Sequence, residues 1–371
     1  MNLELTAGHA FAQRILLEDF RNYRRVDVLL AVGRNVFVGQ NGQGKSNILE
    51  ALYALSSTRS FRGARDKDVI RHNQDRAMVR GVVGPDDSEI SLEYQRTGGR
   101  KAFLYEQRLP RVLDLVGRLP AVVFSTADLA IIDGGPADRR GFLDAELSLL
   151  SPSYLNAFTG YRKAVEHRNA ALRSVREGRA DIASVSPWDV AVAERGALVR
   201  QARADWLVSL LPFAAREHAS LSGATEQLAI ETVHADEGLG AEQLQNLLVE
   251  RRQSDLAIGH TTVGPHRDDL LILLDGQEAR AFASQGQRRT IALALKLGVA
   301  HYWRERMHVL PMILLDDIMS DLDSDRRNAV MAVSGSLGQV VITTTDLDAL
   351  RPEVGSDAKV FEVRDGTVSE Q

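Results

Sequence analysis

Hydrophobic positions near the start of the chain recur at intervals of about two: Ile15 and Leu17, then Val26, Val28 and Leu30, with Phe20 between them and the run Val36-Phe37-Val38 behind. This spacing predicts three short strands, because successive strand side chains point to opposite faces. A glycine-rich stretch from Gly39 to Gly44 follows, and Ser46 to Leu55 sets Ile48, Leu49 and Leu52 on one helical face. The predicted order is strand, loop, helix. Residues 79–105 carry more strand-like runs, broken at the turn dipeptides Gly84-Pro85 and Gly98-Gly99. From Ser151 to about Ser222 the interval changes to threes, fours and sevens through Leu155, Phe158, Val165, Leu172 and Val175, which predicts helix. Ser186-Pro187 would start a second helix with proline in its first turn. The segment thus predicts an antiparallel pair, each member roughly 25 to 35 residues and about 40–50 Å long. Its heptad-like spacing lasts only about three repeats, so a short arm is expected rather than a long coiled coil. The last third predicts a helix over Gln287 to Tyr302, a buried strand Met312 to Leu315 and a final hairpin turning at Asp365-Gly366.

A chain of 371 residues exceeds what one hydrophobic core serves. We expect an α/β protein in which an inserted helical lobe, residues 146–255, divides a head into an N-terminal part, 1–145, and a C-terminal part, 256–371. The absence of cysteine excludes disulfides, thiolate metal sites and thiol catalysis. Without an 18-residue apolar run or a basic-then-apolar leader, neither a membrane span nor a signal peptide is predicted, and a soluble cytoplasmic protein is expected. Net charge is −5, but residues 1–120 carry +5 and the remainder −10, so a polyanion would meet the first third.

Gly39-Gln40-Asn41-Gly42-Gln43-Gly44-Lys45-Ser46 fits the P-loop pattern in the strand-to-helix context that pattern needs. Its backbone N–H groups would curl around a nucleotide's β-phosphate, Lys45 would reach the β/γ oxygens, and Ser46 would ligate Mg²⁺. The apolar strand Met312-Ile313-Leu314-Leu315 ends in Asp316-Asp317. There Asp316 would hold the metal and Asp317 would orient or deprotonate the attacking water. Ser284-Gln285-Gly286-Gln287 opens a helix and makes a second candidate anion site, followed by Ser320-Asp321-Leu322-Asp323 and by Val340-Val341-Ile342-Thr343-Thr344-Thr345. The window Arg59 to Arg80 is locally +4. It either tracks a DNA backbone, with Arg62 and Arg65 the first candidates, or is a solvated face. Arg139 and Arg140 would form salt bridges with Asp138 and Asp144, and Gly264 to Asp269 would be a head-stabilising or interface loop. His266 has only His260 nearby, too few ligands for a metal centre.

A P-loop, then Ser-x-Gly-Gln 239 residues after Lys45, then the acidic strand, then Ser-Asp-Leu-Asp, is the order of an ABC-type ATPase head. Phe20-Arg21-Asn22-Tyr23, Arg59-Ser60-Phe61-Arg62, Arg139-Arg140-Gly141-Phe142-Leu143-Asp144 and Gly264-Pro265-His266-Arg267-Asp268-Asp269 narrow the likeness. Over essentially its whole length the chain resembles the RecF family, short-armed relatives of the SMC ATPases. The resemblance implies an ATP-dependent homodimer that clamps DNA at single-strand/duplex junctions in recombinational gap repair and replication, with RecR and RecO as partners and no membrane. ATP turnover would be slow. It further implies that Arg21, Asn22 and residues 39 to 46 bind the nucleotide, and that Ser284, Gly286 and Gln287 approach it from the second copy. The family commonly has Pro-Glu at Thr126-Ala127 and Leu at Ala283, and no Mg²⁺-sensing glutamine is evident near Val122 to Asp128. The open alternative is an ATP-sensing ABC-type dimer coupled to another machine.

Overall fold

The computed structural model describes residues 10–234, 236 and 240–371. The chain divides into two compact units, one of Met1–Asp128, Arg216–Gly223 and Ala292–Gln371, the other of Leu129–Ala215 and Ala224–Ile291.

The first unit holds two six-stranded sheets. In the antiparallel one, β1 (Phe11–Phe20), β2 (Tyr23–Leu29), β4 (Arg76–Gly84), β5 (Ser88–Gln95), β6 (Gly99–Leu104) and β7 (Gln107–Arg108) lie in the order β2-β1-β4-β5-β6-β7. β2 alternates as expected, with Tyr23, Val26 and Val28 buried and Arg25, Asp27 and Leu29 exposed. The other sheet is built from β3 (Arg34–Val38), β8 (Ala121–Ser125), β12 (Met312–Asp316), β13 (Val340–Thr344), β14 (Lys359–Arg364) and β15 (Thr367–Glu370), in the order β15-β14-β3-β13-β12-β8. All but the edge hairpin strand β15 are parallel. Its central strands are continuous apolar runs, as parallel strands covered on both faces must be. Val36, Phe37, Ile313, Leu314, Leu315, Val340, Val341 and Ile342 are all fully buried.

The second unit contains the helix Pro136–Leu150, the arm helices Pro152–Arg176 and Ser186–Ser222 (the latter up to Ala215), the short helices Ala241–Glu250 and Arg252–Ile258, and a three-stranded sheet. That sheet orders β9 (Leu228–Val233), β10 (Asp269–Leu274) and β11 (Gln277–Glu278) as β11-β10-β9. The arm helices start where the sequence predicts. Ser151 caps the first by accepting from the Tyr154 N–H at 3.1 Å, and Pro187 sits in the first turn of the second. The units do not follow the boundaries at 145 and 255. The helix Pro136–Leu150 packs against the first arm helix and β10, which draws residues 129–145 and 256–291 into the second unit. Among the described residues no helix is long and apolar enough to cross a membrane.

Candidate functional site

β3 ends at Val38, and the loop Gly39 to Gly44 turns the chain into the helix Lys45–Ser57. Close packing dictates two of the glycines. A Cβ on Gly39 would lie 2.3 Å from the Val363 carbonyl oxygen of β14, and one on Gly44 would lie 2.7 Å from both Asn22 Nδ2 and the Tyr23 hydroxyl. Gly44 also has φ 121°, a conformation L side chains resist. The first helical turn carries no acidic residue, so its free N–H groups stay available to an anion. Lys45 is buried, and its ammonium donates to the carbonyls of Gly39 at 2.7 Å and Gln40 at 3.0 Å. Burial pulls its pKa below the ordinary lysine value, opposed by the charges of Asp317 and Asp316. Gln40 and Asn41 are exposed at the loop tip, while Gln43 accepts from Asn22 Nδ2 through its carbonyl at 2.8 Å and from the Asp365 N–H through its side chain at 2.6 Å.

Asp316 ends β12 in register with Thr343 of β13 on one side and Ser125 of β8 on the other. It therefore stands at the carboxyl edge of the parallel strands, the edge from which the P-loop also leaves β3. Thr343 is fully buried; its hydroxyl donates to Asp316 Oδ1 at 3.0 Å and accepts the Asp317 N–H at 2.9 Å. Asp317 itself has φ 55°, an uncommon left-handed conformation that this hydrogen bond helps hold. Sequence reasoning noted the run at 340–345 without giving Thr343 a role. A hydroxyl closing an otherwise apolar buried strand was the available signal.

A second hub, also missed, surrounds Glu50 on the P-loop helix. This carboxylate is fully buried and takes both ends of the Arg21 guanidinium, the Ser60 hydroxyl and, at 3.9 Å, Arg62. Arg62 also donates to Asn47 Oδ1 at 3.0 Å, and Asn47 Nδ2 donates to Asn22 Oδ1 at 2.9 Å. Arg21, named for the nucleotide, is thus committed to Glu50 and to the Asp68 carbonyl. Arg62, named for DNA, braces the P-loop helix. Arg65 remains largely exposed, with Asp68 at 3.7 Å. A glutamate on the apolar face of a helix was the sequence clue.

Ser284, Gly286 and Gln287 belong to the second unit. Ser284 Oγ accepts the Gln287 N–H at 3.2 Å while Gln287 Oε1 accepts the Ser284 N–H at 2.7 Å, a reciprocal cap on the helix Gln285–Arg306. Gln287 Nε2 donates to Glu226 at 2.8 Å, so this side chain is fully occupied in shaping the helix start. A Cβ on Gly286 would meet nothing closer than Ser284 Oγ at 4.0 Å, so packing within the chain does not demand a glycine there.

Residues 11–369 match the family described as RecF/RecN/SMC N terminal domain. The DNA replication and repair protein RecF of Heliobacterium modesticaldum is 37% identical over 365 residues, spanning 96% of this chain and 98% of that one. The chain belongs to the RecF family. The RecF of Agathobacter rectalis is 36% identical, over 95% of this chain and 97% of its own. Among solved structures, a recombination mediator protein RecF with ATP, of the RecFOR pathway, superposes with a TM-score of 0.90 at 31% identity over 100% of both chains. The Smc head domain of Pyrococcus furiosus shares the fold, with a TM-score of 0.55 at 16% identity over 98% of this chain and 96% of that one.

In this RecF-family chain the two most distinctive segments, 139–144 and 264–269, turn out to hold each other. Arg139 grips Asp269 with two hydrogen bonds of 2.7 and 2.8 Å, and Arg140 donates to the Asp268 carbonyl at 2.6 Å. Arg203 bonds Asp144 at 2.7 Å and the Pro265 carbonyl at 2.8 Å, and Arg200 chelates Asp268 at 2.7 and 2.8 Å. The expected pairing of Arg139 and Arg140 with Asp138 and Asp144 is not what forms. Asp138 instead caps its own helix by accepting the Gly135 N–H at 2.8 Å, and Asp144 serves Arg203. His266 accepts from the Tyr161 hydroxyl at Nδ1, 2.5 Å away, and its Nε2 faces the Thr261 carbonyl at 3.1 Å, which requires the proton on Nε2. Burial pushes its pKa down to about 4. Among the described residues no cluster fit for a metal centre of His, Asp or Glu occurs.

Proposed function

We propose that this chain is an ATP-dependent DNA-binding protein of recombinational gap repair and replication. In this reading ATP closes two copies into a homodimer on DNA at single-strand/duplex junctions, and the clamp works with RecR- and RecO-type mediators to help load recombinase. The observation that carries the reading is the strand-edge cluster, in which a buried Lys45 ammonium beside an open helix N-terminus lies in the field of Asp316 and Asp317. The likeness to a RecF solved with ATP, and the DNA repair role in the names of its relatives, support the nucleotide and the process.

The residues divide the work by chemistry. Backbone N–H groups from Gly39 to Ser46 cradle the β-phosphate, and Lys45 neutralises β/γ oxygens. The Ser46 hydroxyl and Asp316 carboxylate are hard oxygen donors that would hold Mg²⁺, which would supply positive charge against the phosphates. Asp317, oriented through its own N–H by Thr343, positions or deprotonates the attacking water. Ser284 and Gly286 of the second copy complete contact with the γ-phosphate, so hydrolysis removes what holds the dimer. Slow turnover then acts as a timer.

Asp317→Asn tests this division. It is expected to lower turnover by about 10²-fold or more while leaving ATP-dependent retention on gapped DNA intact or prolonged. Retention that ignores ATP in the parent protein would contradict the proposal.

A further inference from the structure

The segment Phe20-Arg21-Asn22-Tyr23 packs against the P-loop, and its tyrosine is left over by every role assigned above. Tyr23 opens β2 and is fully buried. Its hydroxyl has no hydrogen-bond partner among the described residues, although it lies 2.7 Å from where Gly44 would carry a Cβ. Its neighbour Asn22, at the same distance from that point, is satisfied by the Gln43 carbonyl and Asn47. A buried hydroxyl with no partner is costly, and one placed against a functional loop calls for an explanation. Here it abuts the glycine loop to which the reading above assigns the phosphate. The β14–β15 turn braces the same loop, with the Asp365 N–H on Gln43, so the loop is held from behind at neighbouring points.

We infer that Tyr23 is a positioning residue of the phosphate loop, whose hydroxyl donates to a backbone carbonyl of the Gln43-Gly44 segment only when the loop has closed on a nucleoside di- or triphosphate. The inference rests on the P-loop reading above. It assigns no contact between Tyr23 and the nucleotide. The phenol contributes by favouring the closed loop, and the nucleotide-free protein gains nothing from its oxygen.

Tyr23→Phe removes that oxygen and keeps the ring. Melting temperature without nucleotide and the dissociation constants of ATP and ADP should be measured on the full chain with and without the substitution. The expected result is an unchanged or raised melting temperature together with about three- to tenfold weaker binding of both nucleotides. Equal affinity in the two proteins would overturn the inference alone. So would a melting temperature lowered in step with affinity, which would make Tyr23 an ordinary core residue. If the parent protein bound neither nucleotide, the P-loop reading itself would fall and the inference with it.

Discussion

Gly44 shows how tightly single residues are specified in the candidate phosphate loop. Positive φ and the approach of Asn22 and Tyr23 both exclude a side chain there, so Gly44→Ala strains the backbone and pushes the loop outward. We expect a cost of about 1–3 kcal/mol in stability and a loss of ATP affinity beyond that of a comparable surface change, checked by urea unfolding and nucleotide titration. Wild-type affinity in that variant would mean the loop does not close where the phosphate is placed. At this scale much was legible beforehand. Glycines, lysine and serine at fixed spacing declare an anion site because few other uses need that sequence. Glu50 and Thr343 stood out as polar residues on apolar elements, but their partners, Arg21 and Asp316, lie too far off in the chain to be read from spacing.

Among elements, strand alternation and helical spacing announced β1 to β3, the arm pair and the closing hairpin, since half-buried elements write their buried face into the sequence. Partnership between elements was not written. Arg139 sits one residue from Asp138, yet adjacent helical positions do not face each other, and its carboxylate partner comes from β10. Burial of His266 makes the 264–269 loop pH-sensitive. His266 has a folded-state pKa of about 4, below its unfolded value of about 6.5, so the unfolded chain takes up the proton first. Its contribution is complete above about pH 6.5 and is lost as pH falls toward 4, by about 2 kcal/mol at pH 5 and about 3 kcal/mol at pH 4. Urea unfolding at pH 7.5 and pH 5, compared between the parent and His266→Gln, isolates this term. Identical pH slopes would show that His266 is free to protonate in the folded state.

For the whole molecule, charge asymmetry pointed toward a polyanion, and the structure sorts the candidates within the basic window. Arg62 is engaged on the P-loop helix while Arg65 is open to solvent. Arg65→Glu is therefore expected to weaken duplex binding and reduce its salt dependence by about one phosphate contact, while Arg62→Glu should first disturb nucleotide binding. Unaltered duplex affinity and salt slope in Arg65→Glu would make the window a solvated face. The central claim concerns two copies. Sedimentation of the full chain with and without ATP, alongside Ser284→Arg, tests it most directly. The account predicts monomer without ATP, dimer with it, and monomer under both conditions for the variant. A parent protein that stays monomeric at saturating ATP, with or without DNA, or a variant that still pairs on ATP, would contradict it.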